Sequence, residues 1–308
     1  MTGPATSSAP APKPLNRAKF LALCTFPSAG TQVHLGVSGG VDSVAMMLLA
    51  VEAGCDVTAW YVDHGIRPES AAEGSAVGQL ASDIGVKFVL RTVVVPDGPN
   101  LEARAREARY GELPEGVMIG HTADDLVETV LANLLRGTGV DGLAPMLRND
   151  SVARPILGLR RAQTTALCRD AGVAVVEDPM NGDPRYRRVR IRHELLPLLD
   201  SIAKRDVTPL LVRMATVTSD DVVLLDRLAA AIDPTSAREV NQAPIALARR
   251  ALNRWMVEAG VGDGHPMGLA TVDRALLVAQ GVIPRSDLVE GWRIARTAGI
   301  LRLEQFDQ

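Results

Sequence analysis

Aromatic residues, cysteines and long apolar stretches are all scarce in this chain of 308 residues. Phe, Trp and Tyr together make up 3% of the residues, so the core must consist mainly of Ala, Leu and Val. The three cysteines, Cys24, Cys55 and Cys168, are too widely spaced for a disulfide scaffold or a zinc pattern, which favours a cytoplasmic location. No apolar run approaches the roughly 18 residues of a membrane span, so no membrane partner is expected. Residues 1–14 are rich in Ser, Ala and Pro and predict a disordered tail, not a signal peptide.

Neither sign of charge dominates the chain, because 33 Lys and Arg residues stand against 36 Asp and Glu residues, a net charge of −3. This balance excludes strong, indiscriminate binding of nucleic acid over the whole surface. The charges are unevenly distributed, however. Residues 151–213 hold 12 Lys and Arg against 7 Asp and Glu, whereas residues 101–150 hold 5 against 9. An acidic centre and a basic strip are therefore expected, which suits selective binding of an RNA.

Short apolar strands alternate with helical segments from residue 32 onwards. The predicted strands are 32–37, 57–62, 87–95 and 117–119, and the helices between and after them are 41–54, 70–85, 100–113 and 123–136. This alternation predicts the α/β class, with a parallel, doubly wound sheet that binds ligands at the carboxyl ends of its strands.

The pattern changes after residue 142. The sequence there predicts a helix at 161–171, an edge strand at 173–176, helices at 210–231, 245–259 and 271–280, and a hairpin made by 288–295 and 300–303. We expect a catalytic domain over residues 15–213 and a smaller, mostly helical domain over residues 214–308.

The strongest local signal is a glycine-rich loop between the first strand and the first helix of the sheet. It consists of Ser38, Gly39, Gly40, Val41, Asp42 and Ser43. Two glycines allow a tight turn and a close backbone approach, and the following helix N-terminus attracts anions, so the loop suits a nucleotide phosphate with Mg²⁺. The loop lacks the lysine of a Walker A motif and the GxGxxG spacing of a Rossmann fold. Residues 36–40 do match the GxSxG motif of a hydrolase nucleophile elbow, but such an elbow normally follows several strands and this one follows the first. A turn with a purely structural role is the other alternative, but it would not need both serines and an aspartate.

This loop matches the SGGxDS signature of the PP-loop ATP pyrophosphatases, which split ATP between its α- and β-phosphates. Further segments, in the same order, resemble the tRNA(Ile)-lysidine synthetase family over about residues 30–200. They are YVDHGIR (61–67), LEARAREARY (101–110), HTADDLVET (121–129), RGTG (136–139), RPIL (154–157) and EDP (177–179). The resemblance implies a short form that lacks the last C-terminal domain of longer members.

Several ionisable residues gather at the start of the predicted helix 123–136. Asp124 and Glu128 are four residues apart and share a helix face. Such carboxylates could hold Mg²⁺, receive the ammonium group of a lysine substrate or help to deprotonate it, but an acidic first turn also simply suits a helix dipole. With the resemblance, the expected catalytic residues are Asp42, Asp124, Asp125, Glu128, Arg104 and Arg109. ATP is expected at the glycine loop and His121, lysine at Asp124 and Glu128, and Mg²⁺ at Asp42 and Asp125, while the division between metal and lysine ligands stays open.

A basic segment from Arg185 to Arg192 carries five arginines in eight residues. Helical spacing would place Arg185, Arg188 and Arg192 on one face, where they could follow RNA phosphates, and Tyr186 could stack on a base. A solvated basic helix is the alternative. The family often has an asparagine where this chain has Val189, which weakens any role of that position in substrate contact.

The resemblance implies a two-step reaction that uses ATP and Mg²⁺. The C2 oxygen of the wobble cytidine of a minor isoleucine tRNA, tRNA(Ile), is adenylated with release of pyrophosphate, and L-lysine then displaces AMP. A second, helical domain would bind tRNA, and a homodimer is compatible with it. The alternatives are another PP-loop tRNA-modifying enzyme such as a cytidine thiolase, or a nucleotide-binding RNA adaptor without turnover. Thiolases of this kind use paired cysteines, which three scattered cysteines do not supply, and a small-molecule amidotransferase would need no arginine stripe.

Overall fold

The computed structural model describes residues 17–63, 65, 70–93, 104, 108, 110–147, 152–176 and 183–306. The chain divides into two compact units, the first ending at Thr216 and the second beginning at Val217. The division falls within the 23-residue helix Thr208–Ala230. Across the described ranges, no helix combines the length and hydropathy needed to span a membrane.

The first unit is built on a four-stranded parallel sheet. Its strands are β1 (Gln32–Gly36), β2 (Asp56–Asp63), β3 (Lys87–Thr92) and β4 (Met118–Ile119), in the spatial order β3–β2–β1–β4. In the register, Gly36 of β1 lies opposite Trp60 of β2 and Ile119 of β4. The predicted parallel α/β sheet is therefore confirmed.

Helices connect and flank these strands. They are α1 (Arg17–Leu21), α2 (Val41–Glu52), α3 (Ser70–Asp83), α4 (Ala123–Leu134), α5 (Arg161–Asp170), α6 (Arg187–Arg190), α7 (Leu196–Ala203) and α8 (Thr208–Ala230). α2 packs against α5, which brings residues 161–170 over the start of α2. A 3-10 turn, Val140–Leu143, follows α4, and a π-helical turn, Ile191–Leu195, separates α6 from α7.

The core of the first unit is aliphatic, as the low aromatic content requires. Leu35 of β1, Met46, Met47 and Leu49 of α2, and Ala59 of β2 are all at most 1% exposed. Unbranched methionine side chains fill irregular gaps between the sheet and α2, where few bulky rings are available.

The chain reverses its order in the sheet between β1 and β4, since β2 and β3 lie on one side of β1 and β4 lies on the other. Ligands bind at such switch points because the connecting loops diverge there. Gly120, directly after β4, lies so close to α2 that a Cβ atom would stand 2.8 Å from Cα of Ser43 and 2.9 Å from the carbonyl group of Asp42. Because Gly120 has no side chain, the chain between β4 and α4 can pass this close to the start of α2.

Two expectations are corrected in this unit. Residues 173–176 do not form the expected edge strand. The backbone N–H of Val176 donates a hydrogen bond to the carbonyl oxygen of Gly39 over 2.9 Å, but Gly39 belongs to the glycine loop and not to a strand of the sheet. Arg185 does not share a helix face with Arg188 and Arg192, because α6 begins at Arg187 and a π-helical turn follows it. In the expected helix 100–113, the described residues 104, 108 and 110–112 are helical, and the others lie outside the described residues.

The second unit combines helices with a small antiparallel sheet. α9 (Ala237–Gln242), α10 (Ile245–Glu258) and α11 (Leu269–Gln280) precede β5 (Arg285–Asp287), β6 (Trp292–Thr297) and β7 (Ile300–Gln305). The predicted hairpin is confirmed as β6 and β7, with Thr297 opposite Ile300, although β6 begins four residues later than expected. β5, which the sequence pattern did not predict, pairs with β6. Leu252, Met256 and Ile294 are fully buried between these layers.

Replacing Gly120 with Ala should destabilise the first unit by about 1–3 kcal/mol, because the added methyl group meets backbone atoms that cannot rotate away. Chemical unfolding of the full chain measures this loss. Gly111→Ala is the matched control, since a Cβ atom there meets nothing within 4 Å and residues 110–112 are helical. Alanine at this position should leave stability unchanged or raise it by up to about 1 kcal/mol. Equal losses in the two variants would show that the contact at Gly120 is not a steric limit.

Candidate active site

The glycine loop closes on itself at the carboxyl end of β1. The backbone N–H of Ser38 donates to Oγ of Ser43 over 3.2 Å, and that hydroxyl donates to the carbonyl oxygen of Gly40 over 2.8 Å. Gly39 has φ +83°, and a Cβ atom there would meet Val176 at 2.9 Å, so only glycine fits without rearrangement. Gly40, the N-cap residue of α2, offers no side-chain cap. The N-terminal N–H groups of α2 are therefore suited to an anion.

Asp42, in the first turn of α2, is held by α5. Its Oδ1 accepts a hydrogen bond from Oγ1 of Thr164 over 2.5 Å, and its Oδ2 accepts from Nε of Arg161 over 3.1 Å. Burial raises the pKa of this carboxyl group above its usual value, and the nearby Arg161 only partly offsets that effect. The negative charge of Asp42 is thus incompletely compensated.

Asp125, in the first turn of α4, caps its own helix. Its Oδ2 accepts from both N and Oγ1 of Thr122 over 2.8 Å, and its Oδ1 accepts from Nη2 of Arg161 over 2.8 Å. Burial alone would raise the pKa of Asp125, but Arg161 and the Thr122 donors outweigh it and hold the pKa below its usual value. Asp125 is therefore ionised at neutral pH.

Asp124 faces a neighbouring arginine. Nε of Arg160 lies 3.1 Å from each oxygen of Asp124, and the backbone N–H of Arg161 donates to Oδ2 over 2.7 Å. Nη1 of Arg160 also reaches Oδ2 of Asp206 at 2.5 Å. The side chain of Asp124 remains 20% exposed. It is the more accessible of the two expected lysine ligands.

Glu128 is almost completely buried, with 2% of its side chain exposed. Arg192 pairs with it through two parallel bonds, from Nε to Oε1 over 2.6 Å and from Nη2 to Oε2 over 3.0 Å. Both oxygens of Glu128 and the inner face of Arg192 are thereby occupied. The structure thus pairs these two residues with each other, whereas the sequence suggested that Glu128 binds lysine and that Arg192 contacts RNA.

His121 lies between β4 and α4. Its Nδ1 accepts from Nε of Arg154 over 3.2 Å. Arg154 reaches it because the preceding Ala153 forms a parallel bridge with Met118 of β4. Arg104 is partly buried on its helical segment, whereas the predicted catalytic residue Arg109 lies outside the described residues.

The other residues of the basic segment differ in their surroundings. The side chain of Arg185 is 85% exposed and pairs with Asp183, and Nη2 of Arg188 lies 3.4 Å from Oγ1 of Thr129. Tyr186 is the N-cap residue of α6. Val189 is 8% exposed, so an apolar side chain suits this position.

An open groove of about 550 Å³ runs beside the basic segment. Leu135, Ile191 and Leu198 supply apolar lining, and Arg185, Arg187 and Arg190 supply positive charge. Arg190 is bound by Glu194, whereas Arg187 is exposed and forms no ion pair with any described residue.

Sequence reasoning missed the cations that organise the carboxylates, above all Arg160 and Arg161, and it missed Thr164. One signal was present. Both arginines stand at the N-terminus of α5, where a positive charge opposes the helix dipole and therefore indicates an outside partner.

Replacing Arg192 with Leu should destabilise the first unit by about 3–5 kcal/mol, because Glu128 would remain buried and unpaired. Thermal or urea unfolding of the full chain measures this effect. Arg190→Leu, which removes the neighbouring exposed pair with Glu194, should change stability far less. The double change of Glu128 and Arg192 to Leu should recover most of the loss, and a double variant no more stable than Arg192→Leu would contradict this explanation.

Comparisons with known proteins agree with this architecture. The model of the PP-loop domain matches residues 15–199. The tRNA(Ile)-lysidine synthase of Nocardia farcinica is 38% identical over 299 residues, which cover 91% of this chain and 93% of that protein. The tRNA(Ile)-lysidine synthase of Rhodococcus erythropolis is also 38% identical, with 81% of each chain covered.

Among solved structures, the U34-tRNA thiolase NcsA from Methanococcus maripaludis is similar in fold, with a TM-score of 0.50, 17% identity, and coverage of 70% of this chain and 79% of that chain. The residues 15–199 that match the PP-loop domain include the glycine loop, the four-stranded sheet and the helices α2 and α4 that carry the carboxylates. By the extent of these matches, the chain belongs to the tRNA(Ile)-lysidine synthase family of PP-loop enzymes.

Proposed function

We propose that this protein is a cytoplasmic ligase that joins L-lysine to C2 of the wobble cytidine of a minor isoleucine tRNA, using ATP and an adenylated tRNA intermediate. The observation that carries the proposal is the meeting of a phosphate-binding loop with Asp42, Asp124 and Asp125 at one switch point of the sheet. The relatives named tRNA(Ile)-lysidine synthase support the choice of tRNA and amine. A homodimer stays a prediction.

In the first step, the C2 oxygen of the cytidine attacks the α-phosphorus of ATP, the bond to the β-phosphate breaks, and pyrophosphate leaves. The N-terminus of α2 and the loop Ser38–Gly40 would hold the phosphates, because their N–H groups and the helix dipole favour negative charge. Arg104 and Arg109 remain candidates for countering the charge that develops on the phosphoryl oxygens.

Asp42 and Asp125 fit a Mg²⁺ ion. One edge of a single guanidinium, that of Arg161, reaches an oxygen of each, so the two oxygens lie side by side, and burial leaves the charge of Asp42 incompletely compensated. Mg²⁺ usually takes one or two carboxylates together with phosphate oxygens. When bound, the ion would neutralise charge on the phosphates of ATP.

In the second step, the ε-amine of lysine attacks C2, the bond from C2 to the adenylated oxygen breaks, AMP leaves, and the amine loses a proton. Asp124 is the carboxylate we assign to the incoming ammonium group, because its side chain is 20% exposed. Glu128 is assigned a positioning role, since only 2% of its side chain is exposed and Arg192 pairs with both of its oxygens.

For tRNA, the groove beside the basic segment offers a surface of suitable chemistry. Arg187 and the exposed Arg185 would contact phosphates, and the apolar lining would accept the faces of unstacked bases. We therefore propose Arg185, Tyr186, Arg187 and Arg188 as tRNA contacts, and we reassign Arg192 to the support of Glu128. The second unit is proposed as a further tRNA-binding domain.

A cytidine thiolase is disfavoured by the state of the cysteines. Burial raises the pKa of both Cys24 and Cys168 to about 11, so neither forms an appreciable amount of thiolate at neutral pH. Sγ of Cys168 donates to the carbonyl oxygen of Val41 at 3.4 Å and packs within the core beneath the loop.

Labelled L-lysine should enter isoleucine tRNA transcripts that carry cytidine at the wobble position, with one AMP formed for each lysine. Transcripts with uridine there should remain unlabelled, because uridine carries an oxygen at C4 in place of the amino group by which a cytidine-specific site would recognise its base. Asp42→Asn should reduce the adenylation rate by at least about a hundredfold, as loss of a central electrostatic group commonly does.

Asp56→Asn is the matched control, since Asp56 stands at the opposite end of the sheet, where its side chain pairs with Lys87 and Gln32. Equal labelling of both transcripts, or none, would refute lysine ligation. Incorporation of sulfur would favour the thiolase, and binding of ATP and RNA without AMP formation would favour the adaptor.

Arg187→Ala should weaken tRNA binding severalfold and lower the slope of log affinity against log salt by about 1, as expected for one lost phosphate contact. Fluorescence anisotropy with labelled tRNA at several salt concentrations measures both quantities. Lys87→Ala, at the amino end of β3, removes the same charge far along the sheet and should leave the slope unchanged. If the two variants behave alike, the groove does not bind RNA.

A further inference from the structure

The guanidinium of Arg161 joins two carboxylates that belong to different helices. Nε lies 3.1 Å from Oδ2 of Asp42 in α2, and Nη2 lies 2.8 Å from Oδ1 of Asp125 in α4. Nε and Nη2 lie on the same edge of the planar guanidinium, the edge that commonly donates two parallel bonds to a single carboxylate. In this site the two bonds go to two different carboxylates. Without a cation at this point, two negative charges would face each other across a partly buried site.

The remaining oxygen of each carboxylate is anchored by uncharged donors. Oδ1 of Asp42 accepts from the hydroxyl of Thr164, and Oδ2 of Asp125 accepts from the N–H and the hydroxyl of Thr122. Each carboxylate therefore keeps its place through one oxygen and presents the other to Arg161. The cation that faces the two carboxylates can therefore be exchanged while Thr164 still holds Asp42 and Thr122 still holds Asp125.

The position of Arg161 also favours exchange. Its side chain is 28% exposed, so solvent reaches it, and it stands in the first turn of α5, where the helix dipole opposes a positive charge. The backbone of Arg161 is held independently of its guanidinium, because its N–H donates to Asp124.

We propose that Arg161 is a positioning residue that serves as the counter-cation of the Asp42–Asp125 pair in the metal-free protein and competes with Mg²⁺ for the two facing oxygens. The inference rests on the assignment of these carboxylates to Mg²⁺ under the proposed function. Arg161 keeps the pair together before the nucleotide arrives. A divalent ion carries twice the charge of a guanidinium, so Mg²⁺ held by Asp42 and Asp125 would take the place of Arg161 there.

Thermal unfolding of the full chain tests this role, with the wild type, Arg161→Gln and Arg160→Gln each measured in a chelator and in millimolar Mg²⁺. Arg160 is the matched control, since it stands beside Arg161 and also pairs with two carboxylates, Asp124 and Asp206. In the chelator, both variants should unfold roughly 4 °C or more below the wild type. Mg²⁺ should restore most of the loss in Arg161→Gln and little of the loss in Arg160→Gln.

Binding of Mn²⁺ to the nucleotide-free protein, followed by electron paramagnetic resonance, is a second readout. Mn²⁺ takes the same oxygen ligands as Mg²⁺. Removal of the competing charge in Arg161→Gln should tighten Mn²⁺ binding about tenfold, the usual scale of an arginine's effect on an adjacent carboxylate. Arg161→Lys keeps the charge but lacks the planar fork, so its affinity should lie between those of the wild type and Arg161→Gln.

Equal stabilisation of Arg161→Gln and Arg160→Gln by Mg²⁺, or Mn²⁺ binding that is unchanged or weaker in Arg161→Gln, would overturn the proposal. Should Arg161→Gln fail to fold without metal, folding that is recovered by purification in Mg²⁺ supports the proposal, and failure to recover counts against it. None of these measurements requires lysine incorporation. If the wild type incorporates lysine but Mg²⁺ does not restore the stability of Arg161→Gln, the counter-cation role of Arg161 is refuted and the ligase function stands. If Mg²⁺ restores that stability but the wild type incorporates no lysine, the ligase function is refuted and the counter-cation role stands.

Discussion

The pairing of each buried or half-buried carboxylate with an arginine is the constraint on which this site depends. Arg161 faces Asp42 and Asp125, Arg160 faces Asp124, and Arg192 faces Glu128. Carboxylates gathered in a poorly solvated space repel one another and lose hydration, so they remain ionised together only when cations share the space. The arginines therefore decide which oxygens are open to a ligand and which are occupied.

All three arginines come from residues 160–192, after the last strand of the sheet. The segments that carry the glycine loop and the acidic helix thus supply the carboxylates, and a later part of the chain supplies the arginines that pair with them. α5 has a central place in this arrangement. Thr164 fixes Asp42, Arg161 bridges α2 to α4, and Cys168 packs beneath the loop. The same helix therefore connects the phosphate-binding loop to the acidic helix.

The side chains of the basic segment have two kinds of surroundings, which its composition does not reveal. Arg192 turns inward to Glu128, and Val189 is buried beside it, while Arg185 and Arg187 face solvent at the groove. This division explains how a short run of arginines can neutralise a buried carboxylate and still leave positive charge exposed to solvent. The burial of Val189 also explains why an apolar residue at this position is compatible with the fold.

The sequence by itself determined the parallel sheet, the glycine loop and the closeness of Asp42 to Asp124 and Asp125, because these follow from local patterns and from the rule that parallel strands end at one edge. It erred at residues 173–176, where a valine-rich run predicted a strand but no strand among the described residues pairs with it. Only the tertiary structure decided the partners of the carboxylates. Arg161 is 119 residues from Asp42 and 36 from Asp125, and Arg192 is 64 from Glu128. Ion pairs across such separations leave no periodic trace in the sequence, because they depend on how helices pack and not on how each helix forms.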